Sequence, residues 1–363
     1  MKVILTSKNK LFITNSIIYI FIFLLLINTK LVANSINVSL NIFIHNLMPS
    51  LFIYILITEI LINSNLMYTL SLGMDKLFAK IFRIPQNSTF ILIISYLLGY
   101  PNAAKCISKL YEEKKISLTS AKKLLSFTNN ASPAYILCAI GFGMFNNLTI
   151  GILLLLSHFL SSMVIGICFP YTYDIIQQNT TNSNSFFKIS SPFKILTISI
   201  LNSFKTLGII LGYTIIFSLI PTLLLKNIQL PEFIKGIITG TFEISNGIQI
   251  LAKCSLDCTL LLCIISFILS FSSLMIIFQI HTFAANTNIK LKELVIYKFI
   301  QGVISSFITY ILLKLNIFKI QLTLNTVLNL NNISNLNIPL NFMYFIIITI
   351  TASILYLTLK KKR

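Results

Sequence analysis

The stretch Ser95–Phe145, SYLLGYPNAAKCISKLYEEKKISLTSAKKLLSFTNNASPAYILCAIGFGMF, decides the fold. It is apolar, but it breaks at Gly99-Tyr100-Pro101, passes through a lysine-rich loop, and breaks again at Asn129–Pro133. Unsatisfied backbone groups in hydrocarbon cost several kcal/mol each, so such breaks persist only where protein encloses them. Paired broken segments indicate the binding site of a transporter. The sequence therefore predicts a polytopic membrane transporter whose site is built from this stretch and a counterpart after Gly236.

The composition supports a membrane protein. Hydrophobic residues make up 56% of the chain and charged residues only 10%, whereas soluble domains average about 25% charged residues. Several apolar runs approach the roughly 20 residues that cross a bilayer. We therefore expect an all-α integral membrane protein rather than two soluble domains.

The formal charge of +19 does not predict nucleic-acid binding. The basic residues lie at the termini and in short loops, where the positive-inside rule places them, and no basic stripe alternates with aromatic residues. The six cysteines form no CxxC pair, and the three histidines are isolated from one another. The sequence thus predicts no metal site and no cofactor, and it gives an enzymatic function no support.

The chain divides into five predicted segments. Polar residues DIIQQNTTNSNSFFKISSP mark the linker between two halves, and the basic ends favour cytoplasmic termini. Two cytoplasmic termini require an even number of crossings, and we expect six to eight full spans plus re-entrant segments. The predicted segments are an N-terminal transmembrane helix (1–35), a first half (36–173), the linker (174–192), a second half (193–316), and an Asn-rich loop with a C-terminal transmembrane helix (317–363).

The two halves are predicted to be structural repeats with broken helices. Ser95–Pro101 resembles Ser266–Ser272, and a lysine-containing loop follows each. In the second half, we expect an amphipathic entry over Phe193–Lys205, a separate span over Thr206–Leu225 and a Gly-broken segment over Pro231–Lys253. The apolar run after Leu260 is interrupted by Ser270, Ser272 and Ser273, and we expect it to be followed by a lysine-containing loop over Asn286–Lys298 and a span over Phe299–Leu315. In the first half, the stretch Ser117–Ser120 offers a predicted N-cap for a helix from Ala121 to Phe127.

The candidate site residues are polar groups within these apolar segments. A carboxylate near the bilayer centre is expensive and is functional by default, although Glu59 and Glu243 would need no function if they lay at the solvated interface. The amides at the helix breaks either contact a ligand or cap a helix. The predicted substrate-binding residues are Glu59, Asn129, Asn130, Glu243, Asn246 and Gln279. The residues predicted to shape the breaks are Gly99, Tyr100, Pro101, Ser132, Pro133 and Gly247.

Two lysines are candidate contacts for an anion. Lys105 and Lys253 each follow a broken segment by a few residues. Such lysines usually extend to the lipid headgroups. A dianionic substrate would nevertheless attract them, together with half-helix N-termini whose exposed N–H groups bind carboxylates.

Several motifs resemble the YlbJ/SpoVV family of sporulation integral membrane proteins, from about Asn34 to Leu315. Asn102-Ala103 stands where that family usually has a small residue or glycine, and Ser132 replaces a glycine, which weakens the expectation of a close backbone approach to a ligand. The motifs are MPSLF from Met48, GYPNAAK from Gly99, LYEEKKIS from Leu110, LLSFTNNASP from Leu124, GFGM from Gly141 and EISNGIQ from Glu243.

This resemblance implies a function. It implies an endospore-forming source, a fold similar to nucleoside-recognition (gate) domains and concentrative nucleoside transporters, and transport of dipicolinic acid from the mother cell across the outer forespore membrane. Ionised Glu59 and Glu243 would repel that dicarboxylate unless they were protonated, which would couple transport to protons, or bound to nearby backbone groups. The expected partners are a small solute, membrane lipid and a coupling ion, either a proton or sodium. A nucleoside-like carrier and a non-transporting protein of spore-envelope assembly stay open as alternatives.

Overall fold

The computed structural model describes residues 7–64, 75–85, 88–168 and 191–315, and every regular element in these ranges is helical. Most of the predicted linker, the Asn-rich loop and the predicted C-terminal transmembrane helix lie outside the described residues. The α-helices are α1 Ser7–Ile27, α2 Thr29–Ile42, α3 Met48–Asn63, α4 Asp75–Phe82, α5 Phe90–Leu98, α6 Asn102–Glu112, α7 Leu118–Phe127, α8 Leu148–Cys168, α9 Pro192–Leu224, α10 Glu232–Phe242, α11 Ile244–Leu251, α12 Cys258–Phe271, α13 Ser273–Phe283 and α14 Leu291–Lys314. A π-helical turn, Phe43–Leu47, joins α2 to α3, and a second π-helix covers Tyr135–Met144.

Four stretches of helix are long and apolar enough to cross a membrane. These are α8, α9, the α12–α13 pair and α14, and the bent pair Ile18–Ile27 with Thr29–His45 would be a fifth. The predicted class, an all-α polytopic membrane protein, is confirmed. The described residues hold four or five of the six to eight predicted spans, and the predicted span near the C-terminus lies outside them. The total number of spans and the repeat relation between the halves stay predictions.

One predicted boundary is wrong. The entry segment Phe193–Lys205 and the span Thr206–Leu225 are a single continuous helix of 33 residues, α9. No glycine or proline lies between Phe193 and Thr206 to interrupt it. At 1.5 Å per residue, α9 is about 50 Å long, which exceeds the roughly 30 Å of a hydrocarbon core. The helix is therefore longer than one perpendicular crossing requires.

The chain breaks between consecutive helices at four places inside apolar sequence. Three coincide with predicted breaks: Gly99–Pro101 between α5 and α6, Thr128–Ser132 before the π-helix, and Ser272 between α12 and α13. The fourth lies at Glu243, between α10 and α11, within the segment predicted to be broken. Gly99 has φ +73° and Ser272 φ +68°, so each reverses the helical path locally. The N-cap lies within the predicted stretch, because Ser117 accepts a hydrogen bond from the N–H of Ser120, but the helix begins at Leu118, three residues before the predicted start at Ala121.

The core consists of two buried apolar clusters that meet at the breaks. One surrounds α5, α6 and α7, and the other surrounds the π-helix, α8, α11 and α12. Tyr100 and Phe267 pack against both clusters. The Gly99–Pro101 break therefore lies between the two apolar clusters.

Candidate functional site

The two breaks within Ser95–Phe145, at Gly99–Pro101 and Thr128–Ser132, lie against each other. The N–H of Tyr100 donates to the carbonyl of Asn130 at 2.8 Å. A Cβ added at Gly99 would lie 2.7 Å from the backbone nitrogen of Ser132. The two backbone segments are therefore too close to leave room for a side chain at Gly99. Gly99, Tyr100 and Ser132, all predicted to shape the breaks, therefore come together at one crossing.

Asn130 is at the centre of the crossing and is fully buried. Its Nδ2 group lies 2.9 Å from Ser95 Oγ, 3.0 Å from the carbonyl of Phe127 and 3.2 Å from Ser162 Oγ. Its Oδ1 accepts from Gln301 Nε2 at 3.1 Å. This one side chain holds α5, α7, α8 and α14 together, so it organises the site whether or not it also contacts a ligand.

His158 connects this crossing to the break of the second half. Its Nε2 accepts from the N–H of Ala131 at 3.0 Å, so the ring proton must lie on Nδ1, which then donates to Ser270 Oγ at 2.7 Å. The ring is fully buried. Sequence reasoning missed His158 because the three histidines are far apart along the chain. Its position next to Ser157, Ser161 and Ser162 in an apolar span was the available signal.

Lys298 is the most unusual group at the crossing. Its side chain is on α14, is only 1% exposed, and donates to the carbonyl of Asn129 and, at 2.8 Å, to Gln301 Oε1. No carboxylate within the described ranges forms an ion pair with it. A buried ammonium without a counter-ion is costly. Among the described residues, only the carbonyl of Asn129 and the amide oxygen of Gln301 compensate for its burial.

Sequence reasoning placed Lys298 in a loop, because the last span of the second half was predicted to begin at Phe299. In the structure α14 begins at Leu291, two turns earlier. The signal was present as a polar stripe with helical spacing, since residues three, seven and eleven positions after Lys298 are also polar and buried: Gln301, Ser305 and Thr309.

Other polar atoms near the breaks are buried and have no hydrogen-bond partner among the described residues. They are Oδ1 of Asn102 at the start of α6, Oδ1 of Asn129 at the second break, Oγ of Ser273 at the start of α13, and both Nε2 and Oε1 of Gln279 in the middle of α13. Buried polar groups are nearly always paired. No side chain caps the N-terminus of α6 or of α13. These groups leave hydrogen-bonding capacity and two positive helix ends near the breaks.

Glu59 lies in a separate network. Lys105 Nζ is 3.6 Å from Glu59 Oε1 and donates to Thr206 Oγ1 at 2.7 Å, while Asn202 Nδ2 donates to Glu59 Oε2 at 3.1 Å. The pair joins α3 and α6 to the long helix α9. Since the two charges neutralise each other, neither Glu59 nor Lys105 presents a free charge to a ligand.

Glu243 acts as a helix cap. Its side chain is fully buried, and its two oxygens accept from the N–H groups of Ser245 at 2.9 Å and Asn246 at 2.7 Å. Of the two alternatives considered from the sequence, protonation or bonding to nearby backbone groups, Glu243 shows the second. Asn246 Nδ2 donates to Ser218 at 2.8 Å, and Lys253 is exposed past the end of α11. The described residues contain no hydrogen bond between Glu59 and Glu243.

Of the three remaining residues predicted to shape the breaks, two occupy the breaks of the Ser95–Phe145 stretch. Pro101 follows the cis peptide bond of Tyr100, and Pro133 starts the helical segment after the second break. Gly247 packs directly on Gly240 of the preceding helix, so it shapes the α10–α11 hairpin rather than the crossing.

The capping role of Glu243 predicts a measurable loss of stability. Replacing Glu243 by Ala removes both acceptors and should lower the free energy of unfolding by about 1–2 kcal/mol, whereas Gln keeps one acceptor and should cost about half of that. Thermal unfolding in detergent measures the difference. Asp257→Asn, at the exposed cap of α12, is the matched control. Unchanged stability in Glu243→Ala would rule out the capping role.

The groups around the breaks include the buried head of Lys298, two helix N-termini without a side-chain cap, and unpaired amide and hydroxyl groups. Glu59 is paired with Lys105, and Glu243 is bound by backbone N–H groups. The described ranges hold no group of three or more His, Cys, Asp or Glu side chains that would bind a metal ion.

Comparison with known proteins gives one informative match. The chain is 27% identical over 303 residues to the sporulation integral membrane protein YlbJ of Bacillus subtilis (strain 168), covering 73% of this chain and 74% of that protein. No family model matches the chain. No solved structure matches it significantly. The match confirms the resemblance that the motifs predicted, and this integral membrane protein is similar to the sporulation integral membrane protein YlbJ.

Proposed function

We propose that this protein is a membrane carrier for a small dicarboxylate, which binds where the broken helices cross. The observation that carries the proposal is Lys298, a buried ammonium with no carboxylate partner among the described residues and with its head directed at the break after α7. A carboxylate from the solute would complete this site.

The electrostatics of the surroundings suit such a solute. The first carboxylate of the substrate would pair with Lys298, and the second would lie against an uncapped helix N-terminus, with Ser273 and Gln279 as hydrogen-bond donors. Glu59 is neutralised by Lys105, and Glu243 is held by backbone N–H groups. The repulsion expected from two free carboxylates is thereby removed.

We further propose that the substrate is dipicolinate and that the protein acts in endospore formation, in the outer forespore membrane. The support is the similarity to a protein named for sporulation and the positive charge that Lys298 would offer to a dianion. A dianion opposite one ammonium leaves one negative charge uncompensated. A co-transported proton or sodium ion would balance it.

A nucleoside-like solute is the second candidate. Gln279 is fully buried with both amide atoms unpartnered among the described residues, and Asn129 Oδ1 is unpartnered too. Amides of this kind recognise the edge of a neutral heterocycle. A nucleoside, however, would leave the Lys298 charge uncompensated, which is why we place the dicarboxylate first.

Uptake by reconstituted vesicles tests the proposal. Vesicles that contain the protein should accumulate labelled dipicolinate, unlabelled dipicolinate should compete, and uridine should not. Asn130→Ala removes the hydrogen bonds that join four helices, so uptake should fall at least about tenfold. The exposed Asn227→Ala is the control.

The outcomes separate the hypotheses. Competition by uridine but not by dipicolinate would favour the nucleoside-like carrier. Absence of uptake for both, together with normal dipicolinate content in spores of a deletion strain, would favour the non-transporting role in envelope assembly.

A further inference from the structure

A second polar site lies away from the crossing, in a cavity of about 800 Å³ between α2, α9, α10 and α11. Three lysines from three different segments line it: Lys30 at the start of α2, Lys226 just after α9, and Lys235 in the first turns of α10. Nothing in the proposed carrier mechanism uses these lysines.

The cavity carries excess positive charge. Lys235 pairs with Glu232 at 2.8 Å, and Lys226 donates to the neutral Asn28 Oδ1 at 2.5 Å. Lys30 has no hydrogen bond or ion pair among the described residues. The three lysines are therefore balanced by only one carboxylate, that of Glu232, and two positive charges are available to an anion.

The rest of the wall is largely aliphatic. Its apolar side chains come from the same helices as the lysines: Ile27, Leu31, Val38, Leu225 and Ile250. A small soluble dicarboxylate would fill only a minor part of 800 Å³ and would gain nothing from aliphatic neighbours. The occupant should instead have both an anionic group and a hydrocarbon part.

The position of the cavity relative to the membrane supports such an occupant. The long helix α9 is a candidate span that ends at Leu224, so Lys226 lies two residues past the end of a span, where lipid headgroups are found. Lysines near the membrane surface each gain about 1 kcal/mol from anionic lipid.

We propose that this cavity binds one anionic phospholipid, with its phosphate diester facing Lys30 and Lys226 and an acyl chain along the aliphatic wall. The lipid would brace α2 against the α10–α11 hairpin. Asn246, which also lines the cavity, follows the Glu243 cap in that hairpin, so the site reaches the fourth helix break.

Native mass spectrometry of the full protein in mixed phosphatidylglycerol and phosphatidylcholine tests this site. The wild-type protein should retain phosphatidylglycerol in preference to phosphatidylcholine. The double variant Lys30→Gln/Lys226→Gln should lose that preference at least about tenfold, while Lys194→Gln/Lys292→Gln, two exposed lysines outside the cavity, should keep it.

Two further arms exclude other anions. Neither glycerol phosphate nor dipicolinate should displace the retained lipid, because each lacks the acyl chain. Equal retention of both lipids by the wild-type protein, an unchanged preference in the Lys30/Lys226 variant, or displacement by a soluble anion would each overturn the proposal. Uptake of dicarboxylate is a separate readout, so failure of the lipid site leaves the proposed carrier function intact.

Discussion

Lys298→Met is expected to fold and to reach the membrane, yet to lose at least about tenfold of dicarboxylate uptake. Hydrogen bonds to charged groups contribute about 1.5–3 kcal/mol, and roughly 1.4 kcal/mol corresponds to a factor of ten. Methionine keeps the length and much of the volume of the side chain but removes the charge that the substrate would neutralise. Because the wild-type ammonium is buried without a carboxylate partner among the described residues, its removal also relieves a cost of burial.

The measurement is vesicle uptake together with thermal unfolding of the purified variant. Lys292→Met is the matched control, since Lys292 is on the same helix but exposed, and it should transport normally. A Lys298→Met protein that folds and transports dipicolinate at the wild-type rate would contradict the assignment. A variant that is lost by unfolding would be replaced by Lys298→Arg, which keeps the charge and should restore folding while impairing uptake through its larger planar head.

Gly247→Ala should destabilise the protein by about 3 kcal/mol or more. A Cβ at Gly247 would lie 2.1 Å from Gly240 Cα and 2.2 Å from Gly240 N. Backbone atoms cannot yield as a flexible side chain can, so α10 and α11 would have to separate, and overpacking of this kind is costly. Membrane expression followed by thermal unfolding measures the effect.

Gly212→Ala provides the control for this substitution. Nothing lies within 4 Å of a Cβ built at Gly212, in the middle of α9, so the change should be neutral or slightly stabilising because alanine favours the helix. Equal unfolding temperatures of the Gly247 and Gly212 variants would show that α10 and α11 are not packed as described.

The helix breaks could be predicted because local chemistry determines them. Gly99 and Pro101 interrupt a helix by their own backbone preferences, and consecutive serines at Ser272 interrupt the apolar run of α12 and α13. The same local logic predicted an N-cap within Ser117–Ser120. It failed for Phe193–Thr206, where a charged residue suggested a boundary but no helix-breaking residue was present.

The partners across the site could not be predicted in this way. His158 contacts Ala131 and Ser270, which are 27 and 112 positions away in the chain, and no spacing rule links such residues. Lys298 was missed because the start of α14 was predicted eight residues too late. Glu59 and Glu243 were identified as membrane-embedded carboxylates, but only the fold could reveal that Lys105 and two backbone N–H groups engage them.

A structure of the protein in lipid nanodiscs with dipicolinate present tests the central claim most directly. We predict that density for the solute will lie at the crossing of the breaks, with one carboxylate oxygen about 2.7–2.9 Å from Lys298 Nζ. Solute density elsewhere, with Lys298 still bonded only to Asn129 and Gln301, would contradict it.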